Sequence, residues 1–193
     1  MTTIQPLENG KYYHIYNRGI NSDILFKESS NYEYFLKLYD KHIDPIAETF
    51  AWYLMKNHFH FLVRVKDNDQ ITAEKKIRPS QSFSNLFNAY TKAFNKSYNR
   101  HGALFERPFN RKEINHDSYL QNFIVYIHNN PVHHNICEHP LEYPWSSYTT
   151  CISDKPTKLK RKEVIRVFDD IENFKYIHQL KNNNLSIETF LGI

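Results

Sequence analysis

The sequence predicts an α+β fold, an antiparallel sheet covered by helices. Three observations lead there. The apolar pattern switches between the two-residue period of strands and the 3.6-residue period of helices. Two apolar runs separated only by Lys56-Asn57 read as a β-hairpin. The order strand, helix, hairpin, helix, strand, helix suits an antiparallel sheet with helices on it.

Residues 11–18 (KYYHIYNR) are rich in aromatic and β-branched residues and predict a strand ending at Gly19. Tyr34, Phe35, Leu38 and Tyr39 recur at helical spacing within 30–42. Residues 50–65 form the hairpin. On its second strand Phe59, Phe61, Val63 and Val65 share one face, and His58, His60, Leu62 and Arg64 the other. Residues 66–82 are polar and predict a connecting loop. Phe83, Leu86, Phe87, Tyr90 and Phe94 mark an amphipathic helix that Gly102 is expected to end. Its other face carries Asn88, Lys92, Asn95, Lys96 and Asn99. Residues 107–114 predict another strand. Asp117 is the expected N-cap of the next helix. There Leu120, Phe123, Ile124 and Ile127 form the buried stripe, Tyr126 and Asn130 flank it, and Pro131 is expected to stop it. From Cys151 the chain is Lys-rich, then weakly helical. The expected division is a catalytic domain over 1–150 and a basic, weakly helical appendage over 151–193.

The 193 residues are 40% hydrophobic and 16% aromatic, enough for a core. Mean hydropathy is −0.68, and no apolar run approaches the roughly 20 residues of a membrane span. The N-terminal residues show no secretion signal. Cys137 and Cys151 fit no disulfide framework, so a cytoplasmic protein is expected. The formal charge is +4, a mild basic bias. It is concentrated: Lys92, Lys96, Arg100, Arg107, Arg111 and Lys112 fall in one stretch with interleaved aromatics, and Lys155, Lys158, Lys160, Arg161 and Lys162 in another. Such clusters either neutralise phosphates beside stacked bases or are merely solvated faces. Arg18 either contacts nucleic acid or caps its strand.

His58 and His60 point the same way from one strand and could hold a divalent metal from one side. Tyr126 and Asn130 lie one helical turn apart on a common face. A metal on a histidine pair beside a positioned phenol can break a phosphodiester by covalent catalysis. The spacing alone is weak, because 11 histidines make chance H-x-H matches common. A pair of structural histidines on a hairpin is the competing reading.

Five motifs add specificity. YHIYNRG (13–19), MKNHFHFLV (55–63), NRHGALF (99–105), YIHNNPV (126–132) and YPWSSY (143–148) occur in the order seen in HUH single-tyrosine transposases of small insertion sequences. The chain most resembles their REP-associated tyrosine transposase relatives, over roughly residues 10–150. The resemblance implies a ferredoxin-like sheet with the histidine pair on a central strand. It implies Mg²⁺ or Mn²⁺, single-stranded or hairpin DNA as partner, and a monomer or homodimer. It implies His58 and His60 as metal ligands, Tyr126 as nucleophile and Asn130 as third ligand, where better-known members often carry Gln. Arg18, Lys92, Lys96, Arg100, Arg111 and Lys112 are the expected DNA contacts. His133-His134-Asn135 departs from the family's usual R-A-G-like segment. The activity implied is cleavage and rejoining of single-stranded DNA through a 5′-phosphotyrosine. The alternatives are a relaxase-like replication nickase and a non-catalytic hairpin-binding protein. His134, Cys137 and His139 match no paired zinc motif and are expected to form a loop. Trp145 is expected to be a buried anchor rather than a stacking platform.

Overall fold

The computed structural model describes residues 5–71, 78–115 and 117–180. Its core is a four-stranded sheet of β1 (Tyr12–Arg18), β2 (Ala47–Met55), β3 (His58–Val65) and β4 (Asn110–Ile114). The spatial order is β2-β3-β1-β4, and every neighbouring pair is antiparallel. With α1 (Ser29–His42) after β1 and α2 (Pro79–Ser97) after β3, this is the expected ferredoxin-like arrangement.

Strand alternation divides the core in two. Tyr13, Ile15, Phe59, Phe61, Val63 and Val65 point to the side covered by α1 and α2, where Phe35, Tyr39, Phe83, Leu86 and Tyr90 meet them. The other face receives α3 (Asp117–His133), whose Leu120, Phe123, Ile124 and Ile127 are buried there as the periodicity predicts. The N-cap expected at Asp117 lies outside the described side chains.

Two helix ends differ from expectation, for one reason. Pro131 does not stop α3, which runs on to His133. The stop is Asn135, in the left-handed conformation at φ 55°. Asn135 N–H donates to the Val132 carbonyl and Ile136 N–H to that of Pro131, the paired bonds of a Schellman cap. Likewise α2 ends at Ser97, not near Gly102. Asn99 takes φ 48° there, and Arg100 N–H donates back to the Asn95 carbonyl. An asparagine tolerates the left-handed region better than most residues, so it can take glycine's place.

β2 is an edge strand, and the YPWSSY segment covers it. Leu54 N–H donates to the Trp145 carbonyl and Ser147 N–H to that of Trp52, both at 2.9 Å. Trp145 is half-buried, less than the buried anchor expected of it, and stacks on Tyr32 at 4.4 Å. After α4 (Tyr148–Cys151) come α5 (Arg161–Val167) and α6 (Ile171–Gln179). Val164, Phe168 and Phe174 are buried in the α3-side core. The second basic cluster is largely structural. Lys158 pairs with Asp40 and Asp44, Lys160 with Glu48, and Arg161 donates to the Ser153 and Lys155 carbonyls.

A buried polar chain ties α6 to α3 and the β2 edge. His178 Nδ1 can only donate to the Phe174 carbonyl (2.7 Å), so its Nε2 accepts from His128 Nδ1–H (2.9 Å). His128 Nε2 then accepts from the Ser147 hydroxyl (2.8 Å), whose oxygen accepts from Trp52 N–H. Every member is satisfied with both imidazoles neutral.

Candidate metal and nucleophile site

β3 places His58 and His60 on the α3 side of the sheet, and α3 presents Tyr126 and Asn130 back towards them. The His60 ring lies 5.6 Å from His58 and 5.9 Å from Tyr126, centre to centre. The Asn130 amide lies beside His58. Thus the residues that the motifs single out, distant in sequence, share one space between sheet and helix. It is mostly buried: His60, Tyr126 and Asn130 are 6%, 5% and 4% exposed. His58 is half-buried, and exposed His134, 5.5 Å from it, marks the open side.

Neighbours orient the two imidazoles. The Asn57 Oδ1 accepts from His58 Nδ1–H at 2.8 Å, which leaves a lone pair on His58 Nε2. His60 Nδ1 meets His14 Nε2 at 2.7 Å, and with the proton on His60 its Nε2 is free in the same way. Hydrogen-bonded partners of this kind commonly fix the tautomer of metal-binding histidines. Burial, then neighbouring His134, lowers His58 to about 4. Burial, then His14, holds His60 well below the ordinary range. Both rings are therefore neutral near pH 7, as ligation requires.

The donor set fits a divalent cation. Among the described residues no group of three His, Cys, Asp or Glu side chains is placed to hold a metal, so the set rests on two imidazoles and an amide. Asn130 Oδ1 is buried beside His58 and makes no well-formed hydrogen bond among the described residues. An unpartnered carbonyl oxygen beside a histidine pair is what a cation would satisfy.

The basic residues are dispersed. Arg18 pairs across the sheet with His58, is exposed, and donates to Glu106 at 2.6 Å. Lys112 is exposed opposite His14 on the site's face. Lys92 and Lys96 are exposed on α2, across the sheet from the histidines. Arg100 is tied to Asp23 (3.0 Å) and donates to the Ala103 carbonyl (2.8 Å), which gives it a structural task instead of an open face. Arg111 lies over the Phe109 ring at 3.9 Å, and its Nε is buried without a partner among the described residues.

Three further site residues were not singled out from sequence: His14, Asn57 and Tyr53. For Tyr53 a signal existed. A two-residue hairpin turn sets Met55 opposite His58 and hence Tyr53 opposite His60, the register observed. His14 needed the β1–β3 pairing, which joins strands far apart in sequence.

No family model matches the sequence. A Haemophilus influenzae protein named as a REP-associated tyrosine transposase is 29% identical over 103 residues. The match covers 52% of this chain and 58% of that relative's length. A solved REP-associated tyrosine transposase bound to a REP hairpin aligns with a TM-score of 0.62 at 16% identity, over 81% of this chain and 88% of that one. The resemblance to REP-associated tyrosine transposases holds. The structural likeness establishes the shared fold. A bacterial tRNA(His) guanylyltransferase-like protein aligns at a TM-score of only 0.44, too loose to bear on function. Among the described residues no helix is long and apolar enough to cross a membrane.

Proposed function

We propose that this protein is a transposase-type nuclease that cleaves and rejoins single-stranded DNA beside hairpins, with Tyr126 as nucleophile. The observation that carries the reading is the convergence of His58, His60, Asn130 and Tyr126 in one mostly buried space, with the Asn130 amide beside His58. The solved neighbour's REP hairpin supports a palindromic substrate. We assign the chemistry to residues 1–150.

His58, His60 and Asn130 would hold Mg²⁺ or Mn²⁺. When bound, the cation would polarise the scissile phosphate and offset its charge. Two nitrogen ligands favour Mn²⁺, since Mg²⁺ prefers an all-oxygen shell.

The chain's own residues do the rest. Phe123, Ile124 and Ile127, fully buried, fix α3 and with it the direction of the Tyr126 hydroxyl. In-line attack tolerates little misplacement, so this anchoring bears directly on rate. The Tyr126 oxygen forms a bond to phosphorus as the bond from phosphorus to the 3′ oxygen breaks. The proton that Tyr126 loses is balanced by the one the 3′ oxygen gains. The products are a 5′-phosphotyrosine and a free 3′-OH. The phosphotyrosine keeps the bond energy, and another 3′-OH can reverse the step to rejoin strands. Lys112, on the site's face, and Arg18, beside His58 once it releases Glu106, would meet phosphates near the scissile bond. Lys92 and Lys96 would meet DNA passing round to α2.

The test is incubation with labelled single-stranded hairpin DNA and Mn²⁺, followed by a denaturing gel. Wild type should give a covalent protein–DNA band and Tyr126→Phe none. A non-catalytic hairpin-binding protein would shift the DNA in a native gel and give no covalent band in either case.

A further inference from the structure

Beside Asn130 Oδ1 the site holds two more buried atoms without a hydrogen-bond partner among the described residues, His14 Nδ1 and the Tyr53 hydroxyl. Of these the hydroxyl lies on the strand that faces the histidine pair. Asn130 Oδ1 is an acceptor, but the Tyr53 hydroxyl is a donor. Tyr53 sits in β2 opposite His60 and is 0% exposed. Its ring stacks on His60 at 4.8 Å and 20°, and meets His58 edge-on at 5.7 Å.

Three other buried tyrosine hydroxyls are satisfied. Tyr39 bonds to Thr49 Oγ1 (2.8 Å), and Tyr90 and Tyr143 donate to the Leu25 and Leu54 carbonyls (both 2.6 Å). Leaving a buried hydroxyl unbonded costs stability, and Phe would fill the same space without that cost. Tyr53 carries the cost where the histidine pair and the nucleophile meet.

We propose that the Tyr53 hydroxyl is a catalytic hydrogen-bond donor to a non-bridging oxygen of the scissile phosphodiester, unpartnered until the phosphate arrives. The pairing of characters supports this. An orphan acceptor suits a cation and an orphan donor suits an anion, and a phosphodiester cleaved beside a metal presents both. Tyr53 keeps its proton throughout; the bond made is from Tyr126 to phosphorus, and the bond broken is from phosphorus to the 3′ oxygen. Charge shifts onto the non-bridging oxygens as phosphorus becomes five-coordinate, so a fixed donor helps the transition state more than the ground state. The phosphate would approach from the side marked by half-buried His58 and exposed His134.

The inference rests on the function proposed above, and Tyr53→Phe separates the two. Four quantities are compared with wild type: apo melting temperature, Mn²⁺ affinity by electron paramagnetic resonance, hairpin Kd, and the single-turnover rate of adduct formation. The melting temperature should stay level or rise, and Mn²⁺ affinity and Kd should stay within about twofold. Adduct formation should slow about 10²–10³-fold, as when one oxyanion-hole donor is removed. A fall in melting temperature would reveal a structural partner for the hydroxyl and overturn the assignment. An unchanged rate would overturn it alone. A wild type that binds no Mn²⁺ or forms no adduct would sink the proposed function and this assignment with it.

Discussion

Lowering the pH from 7 to 5 should cost this protein a large part of its stability, through four buried histidines. Burial lowers His14 to about 3 and His178 to about 4, and holds His60 and His128 well below the ordinary range. At pH 5 the native fold therefore keeps these rings neutral. The unfolded chain, with histidines near the ordinary value of about 6.5, takes up protons. A base whose native pKa lies below its unfolded value costs nothing above that value. It destabilises progressively as the pH falls through 6.5 towards the native value. At pH 5 a ring whose native value is about 4 or below costs about 2 kcal/mol, so His14 and His178 cost about 4 kcal/mol between them, and His60 and His128 act in the same direction. Typical domains have only about 5–15 kcal/mol in total. The structural reason is visible in the polar chain: a proton on His128 Nε2 would face the Ser147 oxygen, which already accepts from Trp52 N–H, and displace the Ser147 O–H from its acceptor. The assay is urea unfolding at several pH values in EDTA, followed by fluorescence of Trp52 and Trp145. The slope should correspond to uptake of several protons on unfolding below pH 6. Stability that is flat between pH 7 and 5 would show instead that these histidines are hydrated or already charged in the native state.

Other outcomes follow from the same geometry. His14→Phe removes the partner of His60 Nδ1 and should weaken Mn²⁺ binding about 10–100-fold, measured by calorimetry; unchanged affinity would make the contact incidental. Asn135→Gly should leave the melting temperature level or raise it, whereas Asn135→Val should cost about 1–2 kcal/mol, because only the first suits φ 55°. Replacing Lys92 and Lys96 by Ala should weaken hairpin binding across sequences and reduce the salt slope by about one unit per lost phosphate contact. Arg100→Ala should instead act mainly on stability, since its guanidinium holds Asp23 and the Ala103 carbonyl.

Which parts of this were legible in the sequence follows from how local each signal is. The two core faces of β3 follow from alternation alone, and the buried stripe of α3 from its period. The hairpin turn sets the register opposite the histidines, so Tyr53 was within reach. Gly102 and Pro131 are the usual punctuation of helix ends, but Asn99 and Asn135 take the left-handed positions here, and asparagine is a weaker signal than glycine. The hydrogen bond between His14 and His60 depends on pairing strands forty residues apart, which no local pattern reveals. Charge was the least legible. Clustering in sequence put Arg100 and Lys158 among the nucleic-acid contacts or in a basic patch. Acidic partners elsewhere in the chain, Asp23 for the one and Asp40 and Asp44 for the other, engage them within the fold.

Where the covalent bond to DNA forms decides whether Tyr126 is the nucleophile. Wild-type protein is incubated with single-stranded hairpin DNA and Mn²⁺, digested with nuclease and protease, and mapped by mass spectrometry. A nucleotide should be joined through its 5′ phosphate to Tyr126 and to none of the other tyrosines, with no adduct from Tyr126→Phe. An adduct on another residue, or one that survives in Tyr126→Phe, would contradict that role for Tyr126.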